Sequence, residues 1–487
     1  MKIINNFLNS ITMYRLVLYF LLVLLGFALI LTLFGILPFN GIALVGTVSF
    51  IFATCWITNR IFAYIFKIPA NPESVYITSF ILSLIITPAA DFHKLPFIFW
   101  VSVLSISSKF IFAIRSKHIF NPAAIGVLVT GLGITGSASW WIGTTWMTPL
   151  VLIGGLLIVK KIDRWDLVLS FFAVSLPIIF MSTIIGGGDI TQLVRQVFLD
   201  SPILFFAFVM LTEPLTSPSR KIFKISYGAL VGLLFVNTTP EMALVLGNIF
   251  SYIVSPKERL LLHLKEKIQL TADTYDFVFG LNQKINYAAG QYMEWTLGHH
   301  NPDARGSRRY FTLSSSPTEN NLRIGVKFYS NGSSWKKSLL AMTAGQEIVA
   351  SQLTGEFTMP KDPNKKLVFI AGGIGVTPYR SMIQYLLDTN QKRDIVLLYS
   401  SKTAGDFVYK DVFEKAEVQL GIKTIYVPSD TMGYIDAKKV SAEVVDFKDR
   451  TFYISGPHLM VDAFKKSLSQ MGLSRSQIKS DYFPGYA

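Results

Sequence analysis

Leu367-Val368-Phe369-Ile370-Ala371-Gly372-Gly373-Ile374-Gly375-Val376-Thr377-Pro378 is the stretch that decides the fold of the C-terminal half. It opens as an apolar strand, passes through three glycines and enters a helical pattern. Glycines in a strand-to-helix turn let the backbone bend tightly and approach a pyrophosphate, which the helix N-terminus then attracts. Thr377 is the expected N-cap, with Pro378 at the first helical position. Alone, such a turn is weak evidence for a dinucleotide; its surroundings strengthen it.

Downstream, strand and helix patterns alternate through Leu367–Ala371, Pro378–Asp388, Asp394–Tyr399, Lys410–Val418, Lys423–Val427, Thr451–Ile454 and Leu459–Met471. This predicts a parallel sheet with helices on both faces, an α/β nucleotide-binding domain over 363–487. Upstream, Leu260–Lys267, Thr274–Gly280, Tyr292–Leu297, Arg309–Ser314 and Leu322–Tyr329 alternate or are β-branched and aromatic, with Gly, Asn and Pro between them. They predict a small antiparallel β-barrel over 256–362.

Several short motifs accompany the glycine-rich turn in a fixed order. They are Arg309-Tyr310-Phe311-Thr312, Gly332-Ser333-Ser334-Trp335, Gly355-Glu356-Phe357, Ser455-Gly456-Pro457 and Phe483-Pro484-Gly485-Tyr486. As a set, over essentially all of 256–487, they resemble the ferredoxin–NADP reductase family of flavoproteins. The resemblance implies an FAD-binding barrel and an NAD(P)H-binding domain. Arg309 would bind the FAD pyrophosphate, for which a guanidinium fork is suited. Tyr310 belongs to the same cofactor segment, Phe311 would pack on the flavin ring, and Thr312 would hydrogen-bond near flavin N5. Ser333 and Ser334 would add donors to the pyrophosphate. Gly372, Gly373, Gly375, Thr377 and Pro378 would receive the nicotinamide dinucleotide, with Gly456 and Pro457 as further cofactor-binding residues. Phe483 or Tyr486 would cover the flavin face that nicotinamide reaches. Ser455 stands where many members have Cys, which predicts slower or altered hydride transfer without its loss. Ser400, Ser401 and Lys402 bear on the 2′-phosphate, and the balance leans slightly to NADH.

The N-terminal half has a different composition. The whole chain is 51% apolar and only 16% charged, against about 25% charged for a soluble protein. Apolar runs at 13–37, 41–66, 74–90, 95–113, 122–138, 145–160, 165–187, 197–213, 225–238 and 240–255 predict about ten transmembrane helices, a polytopic bundle over 1–255. The loops holding Lys67, Arg115, Lys117, Lys160, Lys161, Arg164, Arg220, Lys221 and Lys224 are far more basic than the alternate set, which holds Lys94 and Arg195. The positive-inside rule then places both termini and the C-terminal domains in the cytoplasm of a multi-pass protein in the cell membrane. These loops account for much of the +14 net charge, and no basic-aromatic strip suggests nucleic acid. Cys55 is the only cysteine, which excludes a four-thiolate iron–sulfur cluster, and no metal site is expected. Of six histidines only His93 and His118 fall in this half, both in loops, so no histidine-ligated haem is expected in the bundle.

The two halves of the bundle echo each other. Thr87-Pro88 ends the third run and Thr212-Glu213-Pro214 the eighth; Asn121-Pro122 opens the fifth and Thr239-Pro240-Glu241 the tenth. The offset of five spans predicts two inverted five-helix repeats, an arrangement that places binding sites near the midplane. Phe120-Asn121-Pro122-Ala123-Ala124, Met210-Leu211-Thr212-Glu213-Pro214-Leu215-Thr216-Ser217-Pro218 and Pro240-Glu241 resemble segments of one family. Its members include the large membrane proteins of the sodium-translocating NADH:quinone oxidoreductase and of the Rnf electron-transport complex. That resemblance implies flavin in the bundle, with Asn121 and Glu213 as cofactor-site candidates. Thr148 is the nearest match to the residue that carries covalent FMN in the family. Its preceding Gly-Ala is missing, so a non-covalent FMN or riboflavin is the open reading. Whether Glu213 lies deep or at the interface is also open.

The combined expectation is a membrane flavoprotein taking hydride from cytoplasmic NAD(P)H to FAD. Electrons would pass into or across the membrane through a flavin-type relay. The acceptor would be a quinone or an extracytoplasmic species such as a flavoprotein, with ion coupling left open. The alternative is an inverted-repeat transporter or channel with a fused redox-sensing domain.

Overall fold

The structure is a computed structural model that describes all residues except 1–6, 9–10, 67–71, 115–116, 135, 256–258, 282–284, 300–302, 304–305 and 482–487. The chain divides into two compact units, Met1–Lys257 and Glu258–Ala487.

The first unit is helical: α1 Met13–Leu33, α2 Gly41–Phe66, α3 Pro72–Ile85, α4 Leu95–Ile111, α5 Pro122–Gly133, α6 Thr148–Ile162, α7 Trp165–Ile185, α8 Ile190–Phe198, α9 Ile203–Phe205 with a π-helical turn Phe206–Met210, α10 Lys221–Asn237 and α11 Pro240–Val254. A two-residue ladder, β1 Ala113–Ile114 with β2 Lys117–His118, joins α4 to α5. Helix starts follow local chemistry. The side chains of Thr12, Asn121, Asp189 and Thr239 accept from the amides of Arg15, Ala124, Thr191 and Met242, satisfying donors that a helix leaves open.

Among the described residues, four helical segments are long and apolar enough to cross a membrane: Met13–Leu33, Gly41–Phe66, Phe92–Ile111 and Trp165–Ile185. The pair Ile190–Phe198 and Ile203–Met210, bent by 50°, makes a fifth if counted as one span. The expectation of about ten spans, some of them short, therefore exceeds the number that helix length alone supports. Several apolar runs outlast their helices; after α3, Ile86 and Pro88 stay buried in irregular chain. After Gly133, the Trp140 amide donates to Ile85 O (2.9 Å), and Trp141 Nε1 donates to Ser83 O and Ile86 O (3.0 Å each). Apolarity there reports burial, and the indole and amide donors satisfy carbonyls that α3 leaves free at its end.

The helices pack in a recurring pattern. α1 contacts α3, α2 contacts α4 and α4 contacts α5; likewise α6 contacts α9, α7 contacts α10 and α10 contacts α11. α1 also meets α6, and α5 meets α11. The tightest approach is α10 on α7. A Cβ on Gly228 would lie 2.3 Å from Leu167 O, and one on Gly232 2.6 Å from Phe171 O. Small residues one turn apart are what brings two membrane helices into backbone contact.

The second unit holds two sheets. The first is six-stranded and antiparallel, in the order β6-β5-β8-β3-β4-β7. Its strands are β3 Arg259–Thr271, β4 Thr274–Gly280, β5 Tyr292–Thr296, β6 Arg308–Thr312, β7 Asn321–Lys327 and β8 Glu347–Thr354, with helix α12 Ser334–Ala341 before β8. The sheet curls until the chain leaving β6 meets β7, where the Ser314 amide donates to Arg323 O at 2.8 Å. Trp295, Trp335, Phe277 and Phe279 are fully buried inside it.

The second sheet is five-stranded and parallel, in the order β11-β10-β9-β12-β13. It comprises β9 Leu367–Gly372, α13 Thr377–Asp388, β10 Ile395–Ser401, α14 Lys410–Leu420, β11 Lys423–Pro428, α15 Ser429–Met432, α16 Ala437–Glu443, β12 Thr451–Ser455, α17 His458–Gln470 and β13 Ile478–Asp481. All six residues of β9 are buried, between one apolar cluster on each face. The strand order reverses beside β9, and such a reversal opens a crevice at the carboxyl ends of the strands.

At the opposite ends of these strands Arg450 forks onto Asp394 (2.7 and 3.1 Å) and reaches Asp446 (2.6 Å), which also accepts from Lys366 at 2.8 Å. The hydrogen bonds from Arg450 and Lys366 hold the Asp446 carboxyl well below the usual carboxylate range. Arg450→Ala is expected to remove about 2 kcal/mol, a Tm drop of roughly 4–8 °C in a unit of this size. A depressed carboxyl stabilises above its unfolded pKa, near 3.9, and that contribution disappears as pH falls. The gap between wild type and variant in thermal melts should therefore narrow below about pH 4. A gap that is constant down to pH 2 would contradict the ion-pair account.

Candidate functional site

The crevice at the carboxyl ends of β9 and β12 is built by glycine packing. A Cβ on Gly372 would meet Met460 Sδ at 2.3 Å, and one on Gly375 would meet Ser455 O at 2.6 Å and Gly456 Cα at 2.7 Å. These two glycines let the β9 turn lie against the Ser455-Gly456-Pro457 turn. Gly373 differs: its φ is +54° and a Cβ there would point into open space. It is the glycine of the three that leaves backbone accessible to a ligand. Thr377 is not the N-cap expected of it. A 3₁₀ turn, Gly373–Val376, precedes the helix, so Thr377 is the first residue of α13 and Pro378 the second, and the Thr377 hydroxyl donates back to Ile374 O at 3.2 Å. Ser455 ends β12 almost fully buried, and Pro457 precedes α17. In register with Ser455 on β13 is Asp481, a residue the sequence reading did not single out. Burial pushes its carboxyl up to about 7. Phe483 and Tyr486 lie outside the described residues.

The second group of expected residues is on β6. Strand alternation divides them between two faces. Arg309 is 4% exposed, with its guanidinium 5.8 Å from the Trp335 ring centroid, and Phe311 stacks on the same ring at 5.4 Å. Tyr310 points the other way, where its hydroxyl donates to Glu294 Oε2 at 2.8 Å and its ring meets Tyr292 edge-on. Thr312 is buried at the strand end. Trp335 stands in the first turn of α12, so Arg309 and Phe311 adjoin that helix's N-terminus. Ser333 is the N-cap, accepting from the Lys336 amide at 3.3 Å. Ser334 is already engaged: its amide donates to Asp303 Oδ2 (2.9 Å), and its hydroxyl bonds His299 Nε2 (2.9 Å) and the Asp303 amide (3.0 Å). An acidic side chain at a helix N-terminus occupies the position that suits a phosphate.

Barrel and nucleotide domain are joined by a buried polar cluster that the sequence reading missed. Arg380 Nη1 donates to Ser314 O at 2.9 Å and its fork embraces the Glu319 carboxylate. Ser381 Oγ donates to Ser315 O at 2.5 Å. Tyr409 and Ser314 donate hydroxyl hydrogens to Asp276 Oδ1 (2.9 and 3.2 Å), and the Arg323 guanidinium lies 2.9 Å from Asp276 Oδ2. Burial pushes the Asp276 carboxyl above the usual range, against the pull of Arg323.

In the helical unit, Asn121 and Glu213 come together. Asn121 Nδ2 donates to Glu213 Oε2 at 2.9 Å, Thr216 Oγ1 donates to the same oxygen at 3.1 Å, and His118 Nε2 lies 3.4 Å from Oε1. The Asn121 amide donates to Asn248 Oδ1 at 2.7 Å. Glu213 is half-buried and faces a cavity of about 670 Å³, open mouth included, whose polar lining includes Tyr14, Ser74, Thr78, Asn121, Thr212 and Glu213. Lys109 reaches Ser74 at 2.9 Å from below this lining. Thr148 is not part of it. The cavity touches α6 at Ile158 and Ile162, while Thr148 begins that helix, about 15 Å from the nearer of the two along it. Its hydroxyl donates to Thr144 O and Leu199 O, both at 3.1 Å. Among the described residues no cluster of three or more His, Cys, Asp or Glu is placed to hold a metal.

Residues 133–251 match the NQR2, RnfD, RnfE family, residues 261–358 the oxidoreductase FAD-binding domain and residues 369–466 the oxidoreductase NAD-binding domain. The glycine betaine monooxygenase reductase subunit of Pseudomonas aeruginosa is 26% identical over 240 residues, covering 46% of this chain and 64% of that protein. A flavohemoprotein of Oceanobacillus iheyensis is 27% identical over 188 residues, covering 36% and 46%. The chain thus spans roughly half to two thirds of the length of these relatives. Among solved structures, the flavohem-like FAD/NAD binding domain of nitric oxide dioxygenase from Vibrio cholerae is 20% identical, with a TM-score of 0.41, covering 46% of this chain and 98% of that one. The chain therefore joins a domain of the NQR2, RnfD, RnfE family to the FAD-binding and NAD-binding domains of the oxidoreductases.

Proposed function

We propose that the chain is a membrane NAD(P)H oxidoreductase in which the C-terminal unit reduces FAD and the N-terminal helices carry the electrons onward. The observation that carries this reading is one unit holding both a left-handed, open Gly373 at a strand-order reversal and the Arg309–Phe311 surface beside a helix N-terminus. The donor set fits the two cofactors: Arg309 and Ser333 at the FAD pyrophosphate, Phe311 and Thr312 at its ring, Gly373 and the start of α13 at the dinucleotide. Ser334 joins them once Asp303 yields its amide. FAD, when bound, accepts a hydride and releases its electrons singly. Gly372, Gly375, Gly456 and Pro457 shape the crevice, and Ser455 sets a small polar group beside the nicotinamide. Tyr310 orients β6 through Glu294.

The finer organisation follows the same reading. We assign 1–255 to electron transfer, 256–362 to FAD and 363–487 to NAD(P)H. The recurring helix pairs support two five-helix repeats, with α1 to α5 answered by α6, α7, α9, α10 and α11 and the amphipathic α8 inserted between. Adjacent apolar helices would make ten passes, several of them short, with both termini on the cytoplasmic side by loop charge. The Asn121–Glu213 cavity combines an apolar lining with a few convergent polar groups, the make-up of a small-molecule site, and would hold a non-covalent FMN or riboflavin. The acceptor beyond is a quinone or an extracytoplasmic electron carrier.

Anaerobic titration of the detergent-purified chain with NADH and NADPH, followed by acid extraction of flavin, tests this. Bleaching of bound FAD and a second flavin equivalent are expected. Glu213→Gln should lose the second flavin and slow quinone reduction about tenfold, the order expected for losing one charged hydrogen-bond acceptor. A single FAD equivalent, with quinone reduction indifferent to Glu213, sinks the relay and favours a transporter carrying a redox-sensing domain.

A further inference from the structure

Thr312 is the last residue of β6, and Ser314, Ser315 and Ser316 follow it fully buried. Ser314 is gripped twice. Its carbonyl accepts from Arg380 Nη1 and its hydroxyl donates to Asp276 Oδ1. Ser315 is gripped by Ser381 through its carbonyl, and Tyr287 lies 3.0 Å from its hydroxyl. Arg380 and Ser381 are the fourth and fifth residues of α13, the helix that opens from the glycine-rich turn. Two strand positions separate Thr312 from Ser314, about 7 Å, and less than one helical turn separates Thr377 from Arg380, about 5 Å. A shift at these ties therefore reaches the flavin strand or the nicotinamide turn almost undiminished.

A second tie comes from Tyr409, just before α14. Its backbone is left-handed, with φ 58°, an arrangement that costs a residue with a side chain of order 1 kcal/mol or more. Its hydroxyl donates to Asp276 of β4 and lies where a side chain at Gly325 of β7 would stand, 2.5 Å from an added Cβ. Thr377 Cγ2 and Ile374 Cδ1 share that space, at 2.9 and 3.2 Å. The glycine-rich turn thus rests directly on the barrel. Contacts that only glued two domains together would be satisfied by apolar surface. Here directed bonds converge on the residues flanking the reacting groups.

We propose that Arg380 and Tyr409 are positioning residues for hydride transfer, fixing the flavin strand against the nicotinamide turn through Ser314 and Asp276. This rests on the function proposed above. The test uses the full-length chain in detergent, with Tyr409→Phe, which removes only a hydroxyl, and Arg380→Lys, which keeps the charge and loses the fork. Three quantities are measured: FAD content, the flavin-reduction rate at saturating NADH or NADPH in anaerobic stopped flow, and the rate with dithionite, which needs no docked nicotinamide. FAD content and the dithionite rate should match wild type. The saturating rate should fall about tenfold in Tyr409→Phe and about 10²-fold in Arg380→Lys, with KM moving by less than about threefold, as a misplacement near 1 Å predicts. Wild-type limiting rates in both variants overturn the proposal. So does a loss confined to KM, or a loss of FAD that shows the cluster to be structural only. A wild-type flavin that neither nicotinamide reduces, while dithionite does, removes the functional reading itself.

Discussion

Gly375→Val is expected to cut flavin reduction by saturating NAD(P)H by at least 10²-fold while leaving reduction by dithionite intact. The reason is where the added atoms would go. Even a single Cβ at 375 would lie 2.6 Å from Ser455 O and 2.7 Å from Gly456 N and Cα. Every one of these neighbours is backbone, so no rotamer change relieves the clash. The β9 turn and the Ser455-Gly456-Pro457 turn must part, and overpacking of this kind costs about 1–3 kcal/mol. The larger consequence is geometric, because the crevice between these turns is where a nicotinamide would sit against the flavin. Gly373→Ala makes the contrasting case. There a methyl meets open space, but φ of +54° disfavours any side chain by about 1 kcal/mol. Its effect should appear as a higher KM with a limiting rate close to wild type. Rates within threefold of wild type for Gly375→Val would show that the two turns do not form the nicotinamide crevice.

The parts of the fold legible in the sequence are those where one physical requirement acts on consecutive residues. β9 must be apolar on both faces, so Leu367–Ala371 reads as an unbroken run. β7 faces the barrel core with Leu322, Ile324 and Val326 and reads as alternation. β8 was not legible, although it is central and pairs with both β3 and β5. Gln352 there is left-handed, and the register against β5 shifts between Tyr292 and Glu294, which breaks the two-residue period the eye relies on. α12 has only eight residues and one of its two lysines, Lys336, is buried among the apolar ones, so no periodicity emerges. In the helical unit the motifs around Asn121 and Glu213 were visible, but their meeting depends on α5 and the chain after α9 crossing in space. The Arg380 cluster was invisible for a related reason. Arg380 and Glu319 are 61 residues apart, and a charged residue in a helix reads as solvent-facing until its partner is known. Each of the ten apolar runs contains helix, but several helices end before their run does; the capping of the end of α3 by Trp140 and Trp141 is a contact that no window average records.

Gly228→Leu should destabilise the helical unit severely. A Cβ at 228 would stand 2.1 Å from Ser170 Oγ and 2.3 Å from Leu167 O, and Gly232, one turn on, is 2.6 Å from Phe171 O by the same construction. The hydroxyl of Ser170 can rotate away, but the carbonyl of Leu167 belongs to the α7 backbone and cannot. Leucine adds three further carbons to that collision, so α10 has to be displaced from α7. Without a hydrophobic drive between helices in lipid, close packing supplies much of their association, and separating this pair should cost about 3 kcal/mol or more. Gly26→Leu is the matched control, because nothing lies within 4 Å of a Cβ there. Thermal stability of the detergent-solubilised chain should fall sharply for Gly228→Leu and little for Gly26→Leu. The functional readout separates the two units. On the proposed division of labour, NAD(P)H-driven reduction of a soluble dye needs only Glu258–Ala487 and should persist, whereas quinone reduction should drop by an order of magnitude or more if electrons leave through the helices. Equal loss of both activities would mean that the units do not divide the work in this way; retention of both would mean that the helices serve as an anchor and the electrons depart directly from the FAD domain.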